Sequence, residues 1–267
     1  MNIDRLRKII EYSEMTREDM AFKIKEFYAF SGMNSDNDML NILQIVRTSF
    51  RKKGYLILEI PFADEEIGAL CYKGDGLGYV VINTSLPKVN ANFAICHEIY
   101  HVFYQKREFK QKVEFADDHY YEHEEEYAAN LFAGMLLMPE ASFRFMYHRF
   151  KDESDGKELD TILRLMNYYQ VPYMAALIRC YELGLPQSNQ ISEDLLAVNR
   201  DVVRNKFIDL WLDVSILEAT KKDDFEHLEF IVKRFGKECI EENYINERTL
   251  TKVIQNMRVL YSEIKGE

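Results

Sequence analysis

The chain has 267 residues, 47% of them hydrophobic, with 17 tyrosines and 17 phenylalanines but only 5 prolines and 11 glycines; this excludes a disordered chain and suffices for one large or two modest globular units. A formal charge of −11 argues against broad, non-specific nucleic-acid binding, and no apolar run reaches the roughly 20 residues that a membrane span needs. The start, MNIDRLRKIIEYSEM, lacks the apolar core of a secretory leader, and Cys71, Cys96, Cys180 and Cys239 are scattered without a CxxC pair, so a reduced, cytoplasmic setting without disulfides is expected.

Residues 3 to 30 have helical spacing, with Ile3, Leu6, Ile9 and Ile10 three and four apart. Within them Ser13 to Met20 resembles a new helix start, with Thr16 in the N-cap position and Asp19 three residues on. SGMNSDND (31–38) is a turn cluster, and Met39 to Phe50 resumes the helical period until Gly54 stops it. The period then changes to that of a strand. YLILEIPF (55–62), IGALCYK (67–73) and LGYVVINTSL (77–86) are strand-like, and GDG at 74–76 predicts a hairpin turn. Pro87 breaks the ladder, and Asn90 or Asn92 can cap the helix that follows.

A second helix is expected from about Glu122 to Met138, ended by Pro139, with shorter helices to residue 185 and KDESDGKE (151–158) as a polar loop between them. SNQISED (188–194) is the best linker, and the remainder is periodic helix. The expectation is an α+β fold: a small, mainly antiparallel sheet packed on two helices, a helical N-terminal extension (1–38), a central domain (39–187) and an all-helical C-terminal region (188–267) whose apolar stripes carry no motif.

The chemistry concentrates in ANFAICHEIYHVFYQK (91–106). Positions i and i+4 share a helix face, so His97 and His101 can present two imidazole nitrogens to one point, the arrangement zinc takes with Zn–N distances of about 2.0–2.1 Å. Glu98 beside them is placed to take a proton from water and pass it to a leaving amine. A hydrolytic zinc site usually has a third protein ligand on another element. YYEHEEEYAANLFAGMLLMP (120–139) supplies a helix on which Glu126 and Asn130 are i,i+4 neighbours. Glu126 could ligate while the Asn130 amide hydrogen-bonds a ligating histidine. Glu122, Glu125, His119 and His123 compete for the third position.

HEIYH followed by EYAANLFAGMLLMP resembles the ImmA/IrrE family of zinc metallopeptidases, whose pattern is HE-x-x-H and then E-x-x-x-N-x-F-A-x-x-L-L-M-P. Glu126, Asn130, Phe132, Ala133, Leu136, Leu137, Met138 and Pro139 match in register, GYVVINTSL resembles the family's strand entering the HExxH helix, and YYQVPYMAALIRCYELGL (168–185) resembles its closing helical segment. The likeness spans roughly residues 39–185. It implies Zn²⁺ as cofactor, His97, His101 and Glu126 as its ligands, Glu98 as general base and Asn130 as a hydrogen-bond partner of a ligating histidine. Implied too is a protein substrate, a helix-turn-helix transcriptional repressor of a mobile element or stress response, cut to relieve repression.

Two positions depart from the family pattern. Tyr100 stands where a small residue is usual, and could crowd the metal, donate to a developing oxyanion as Tyr120, Tyr121 and Tyr127 also could, or pack sideways. Cys96 replaces a small alanine, either as a redox handle or as a small buried residue. Tyr100 and the helical tail keep open an alternative, a regulator that binds its repressor without cutting it. LGYVVINTSL is either an exposed edge at the cleft rim, open to β-augmentation by an extended substrate, or an internal strand. The N-terminal segment LRKIIEYSEMTREDMAFKIKEF shows no recognition helix, so a helical extension is expected there rather than direct DNA binding.

Overall fold

The longest helix, α1 (Ile3–Ser31), runs straight through the restart expected at Ser13–Met20. Leu6, Ser13, Met20, Ile24 and Phe27 are its buried residues, at spacings that keep one face on the core along its whole length. Thr16 caps nothing; its hydroxyl donates to the Tyr12 carbonyl at 2.7 Å, the i−4 contact a hydroxyl makes inside a continuous helix. Gly32, at φ 81°, ends α1 by donating its N–H to the Tyr28 carbonyl.

This computed structural model describes residues 1–33, 41–74, 77–105, 124–186 and 191–266. After α1 come α2 (Ile42–Lys52), β1 (Tyr55–Ile60), β2 (Ala69–Gly74), β3 (Leu77–Asn83), α3 (Lys88–Tyr104), α4 (Glu124–Leu137), α5 (Glu140–Glu153), α6 (Glu158–Tyr169) and α7 (Tyr173–Glu182). The C-terminal region adds α8 (Glu193–Leu196), α9 (Arg200–Asp209), a 3-10 turn at Val214–Leu217, α10 (Phe225–Glu241) and α11 (Glu247–Lys265). Of the expected linker, residues 188–190 lie outside the described residues and Glu193 and Asp194 open α8, capped by Ser192.

The fold is α+β, and its three-stranded sheet is mixed: β2 pairs antiparallel and β1 parallel with a central β3. The chain leaves β1, crosses to the far edge to form β2, and returns between them, so β3 runs the same way as β1. Asn83 holds that crossing. Its Oδ1 accepts from the N–H groups of Phe62 (3.1 Å) and Ser85 (2.9 Å), and its amide donates to the carbonyls of Asp64 (2.9 Å) and Ile67 (2.8 Å). β3 is therefore the internal strand and not an exposed edge. Pro87, rather than Asn90 or Asn92, starts α3; Asn92 is buried inside the helix, its amide donating to the Gln170 carbonyl at 3.3 Å.

Tyr55, Val80 and Ile82 face the main core, built by helices α1–α9 and the 3-10 turn. Leu58, Ile60, Phe62, Ile67 and Val81 form the second apolar face, which Leu228 of α10 and Tyr261 and Ile264 of α11 cover. The tail is thus part of the fold, sealing a sheet face that would otherwise meet water. An extended segment leads into it. The Lys88 N–H donates to the Glu218 carbonyl (2.9 Å), Lys221 N–H to the Thr84 carbonyl (3.0 Å) and Asp224 N–H to the Glu59 carbonyl (2.8 Å). The last contact closes the outer edge of β1 at Glu59. Among the described residues, no strand pairs with the outer edge of β2.

Gly78 lies opposite Tyr55 in the β1–β3 register, and a Cβ there would come within 2.7 Å of the Tyr55 ring. Gly78→Ala is therefore expected to lose about 1–3 kcal/mol of stability through overpacking, read by denaturant unfolding. Unchanged stability would show that the ring slides aside freely.

Candidate metal centre

Ala128, Ala129 and Ala133 are buried on α4, and their small side chains let α4 lie close beside α3, with Phe132 fully buried in the core. That packing sets Glu126 opposite the two histidines of α3. His97 Nε2 and His101 Nε2 are 3.0 Å apart; Glu126 Oε2 is 3.1 Å from the first and Glu126 Oε1 3.4 Å from the second. A tetrahedral ion with bonds of about 2.0–2.1 Å has ligand–ligand edges of roughly 3.3–3.4 Å, so the spacing fits zinc with little adjustment.

The hydrogen bonds behind the ligand atoms fit as well. Asn130 Oδ1 lies 3.0 Å from His97 Nδ1, and Gln105 Oε1 lies 2.8 Å from His101 Nδ1. An amide oxygen only accepts, so each Nδ1 carries its proton and each Nε2 turns a lone pair inward. Two lone pairs and a carboxylate then converge on one point, in surroundings where His101 is 6% exposed. Such a set calls for a cation.

The same crowding sets the proton affinities. Burial pulls the His97 pKa down, but the hydrogen bond and charge of Glu126 outweigh it, with Glu98 and Asn130 adding, so the value lies above the ordinary one. His101 is lowered to about 4, by burial first and then by the charge of His97. In the metal-free protein a proton at the place of the ion is thus held more readily on His97 than on a free imidazole. Zinc must displace it, so affinity is expected to fall by about tenfold per unit as pH drops below the raised His97 pKa. Calorimetry in buffers of different ionisation enthalpy should show proton release on zinc uptake; a pH-independent affinity would contradict it.

Glu98 is half-buried beside His97 and close enough for its charge to act on that imidazole. It is outside the cluster of converging ligand atoms. Of the alternative third ligands, Glu125 accepts from the Gln105 amide at 3.0 Å instead of joining the cluster. His119, Glu122 and His123 lie outside the described residues, as do Tyr120 and Tyr121.

A peptidase-family model described as the IrrE N-terminal-like domain matches residues 50–181. Residues 50–181 are thus an IrrE N-terminal-like domain. No curated protein and no solved structure matches the chain. The matched span of this IrrE-like chain carries both halves of the cluster, while α1 and α8–α11 lie outside it.

Tyr100 packs sideways. Its ring lies against Phe132 (5.7 Å between centroids) and Tyr104 (5.4 Å), and its hydroxyl accepts from Lys23 Nζ of α1 at 3.5 Å. The phenol is thus drawn toward α1. Tyr127 likewise packs on Tyr12 of α1, with ring centroids 5.6 Å apart. Cys96 is fully buried in the core, and burial pushes its thiol pKa up, which suits a packing residue rather than a reactive one. Gln105 went unnoticed in the sequence, although a carboxamide four residues after His101 on one helix was the available signal.

Proposed function

We propose that this IrrE-like chain is a zinc-dependent endopeptidase acting in the cytoplasm, and that it cleaves a regulatory protein, a helix-turn-helix transcriptional repressor, to relieve repression. The observation that carries the reading is the convergence of His97 Nε2, His101 Nε2 and the Glu126 carboxylate on one point, with Glu98 adjacent. His97, His101 and Glu126 would hold the ion. Bound zinc supplies Lewis acidity and brings the pKa of an attacking water toward about 7. The Glu98 carboxylate accepts the proton of that water as it attacks the scissile carbonyl, then delivers it to the leaving amine nitrogen. Asn130 and Gln105 keep both imidazoles in the ligating tautomer throughout.

The outer edge of β2, which pairs with no strand among the described residues, suits an extended substrate. Gly68, just before this strand, lies against Ala94, one turn before His97 on α3, and a Cβ on Gly68 would sit 3.4 Å from the Ala94 methyl. A strand added there would pass beside the metal centre and gain backbone hydrogen bonds without strong side-chain selection. The resemblance to the ImmA/IrrE family supports a repressor as the substrate.

The test is to take a helix-turn-helix regulator, sought first among the neighbouring genes, and incubate it in purified form with the zinc-loaded protein. Discrete fragments that a chelator suppresses are expected. An intact regulator that co-elutes with the chain, with or without chelator, would overturn cleavage in favour of sequestration.

A further inference from the structure

We propose that Gln105 is a positioning residue of the metal centre, holding His101 in its ligating tautomer and, through Glu125, tying the end of α3 to the start of α4. The inference rests on the zinc-site reading above.

Gln105 is the C-cap of α3, one turn beyond His101, and its N–H donates to the His101 carbonyl at 3.2 Å. Its side-chain amide is used at both ends. Oε1 accepts from His101 Nδ1 at 2.8 Å, and Nε2 donates to Glu125 Oε2 at 3.0 Å. The two partners fix which way the amide faces. Turned over, it would set its oxygen against the Glu125 carboxylate and its NH₂ against the His101 Nδ1–H, losing both bonds. The favoured orientation leaves the His101 lone pair on Nε2, which faces His97 Nε2 at 3.0 Å and Glu126 Oε1 at 3.4 Å.

Glu125 immediately precedes the third ligand, so its bond to Gln105 also restrains the backbone that presents Glu126. The contact complements that of Asn130. Asn130 reaches from α4 to His97 on α3, whereas Gln105 reaches from α3 to Glu125 on α4, so the ligand set is clasped from both helices. Glu125 is exposed, and that half of the contact is screened by water; the half facing His101 is sheltered and has the larger effect.

The experiment compares metal-stripped wild type with Gln105→Leu, Gln105→Glu and Glu125→Ala in the full chain. Zinc affinity is read by competition with a chromogenic chelator, and ligand geometry by the visible absorption of bound Co²⁺. Gln105→Leu is expected to bind zinc about 10–100-fold more weakly and to shift the cobalt spectrum. Gln105→Glu, which keeps an acceptor against His101, should recover most of that affinity, and Glu125→Ala should lose less than Gln105→Leu. If Gln105→Leu proves less stable without metal, the glutamate variant decides: rescue supports positioning, and failure to rescue overturns it. Wild-type affinity and an unchanged cobalt spectrum in Gln105→Leu would overturn the positioning role alone. Wild-type protein that takes up no zinc would overturn the metal site itself, and this role with it.

Discussion

Glu98→Gln is expected to abolish cleavage while leaving the zinc content and the fold in place. The substitution is close to isosteric and removes the carboxylate's charge together with its ability to take up a proton. Glu98 is not among the converging ligand atoms, so the ion has no reason to leave. Its charge acts on His97, which places it beside the histidine–carboxylate cluster. General-base catalysis by a positioned carboxylate contributes roughly 10²–10⁴-fold to a rate, and a loss of that size is expected in kcat with metal still near stoichiometric. Cleavage of the regulator by Glu98→Gln at the wild-type rate would remove Glu98 from the mechanism. A variant without metal would instead mean that Glu98 helps hold the ion.

His101→Ala and Glu126→Ala should each lose zinc. Either change leaves two protein ligands, and the His101 change also strips the side of the site that is most buried. A ligand that binds only the folded state, at a free concentration 100 times its Kd, adds about 2.7 kcal/mol of stability. Wild type should therefore melt higher with zinc than without it, while His101→Ala and Glu126→Ala should melt at one temperature in both conditions. Retention of the zinc-dependent shift by Glu126→Ala would reassign the third ligand. Under the present geometry, Glu125→Ala keeps most of the shift, because Glu125 bonds Gln105 and not the ion.

The His97, His101 and Glu126 cluster was largely legible because its signals are local. His97 and His101 share a helix face by spacing alone, and Glu126 with Asn130 repeats the same i,i+4 relation on a second helix. Where the third ligand would come from needed a register-matched motif, since charge at a helix start has other causes. The direction of Tyr100 could not be read. Its hydroxyl is settled by Lys23, 77 positions away in sequence, and by how α1 lies across α3 and α4. That contact turns the phenol toward α1.

The sheet shows the same division. The three strands are visible in their β-branched and aromatic runs, but the central place of β3 depends on the crossing between β1 and β2 that Asn83 holds. The tail was opaque for a related reason. Its apolar stripes say that it packs, whereas its partner, the second face of a sheet some 160 residues earlier, appears only in the folded chain: Glu59 meets Asp224 across 165 positions. The apparent restart in α1 illustrates the converse error. Thr16 and Asp19 have the spacing of a cap, but a buried face continuing from Leu6 to Phe27 overrides it.

A diffraction experiment at the zinc absorption edge, on crystals of the zinc-loaded protein, tests the central claim most directly. The account predicts one strong anomalous peak within about 2.0–2.2 Å of His97 Nε2, His101 Nε2 and a Glu126 carboxylate oxygen. No peak between α3 and α4, or a peak held by other side chains, would contradict it.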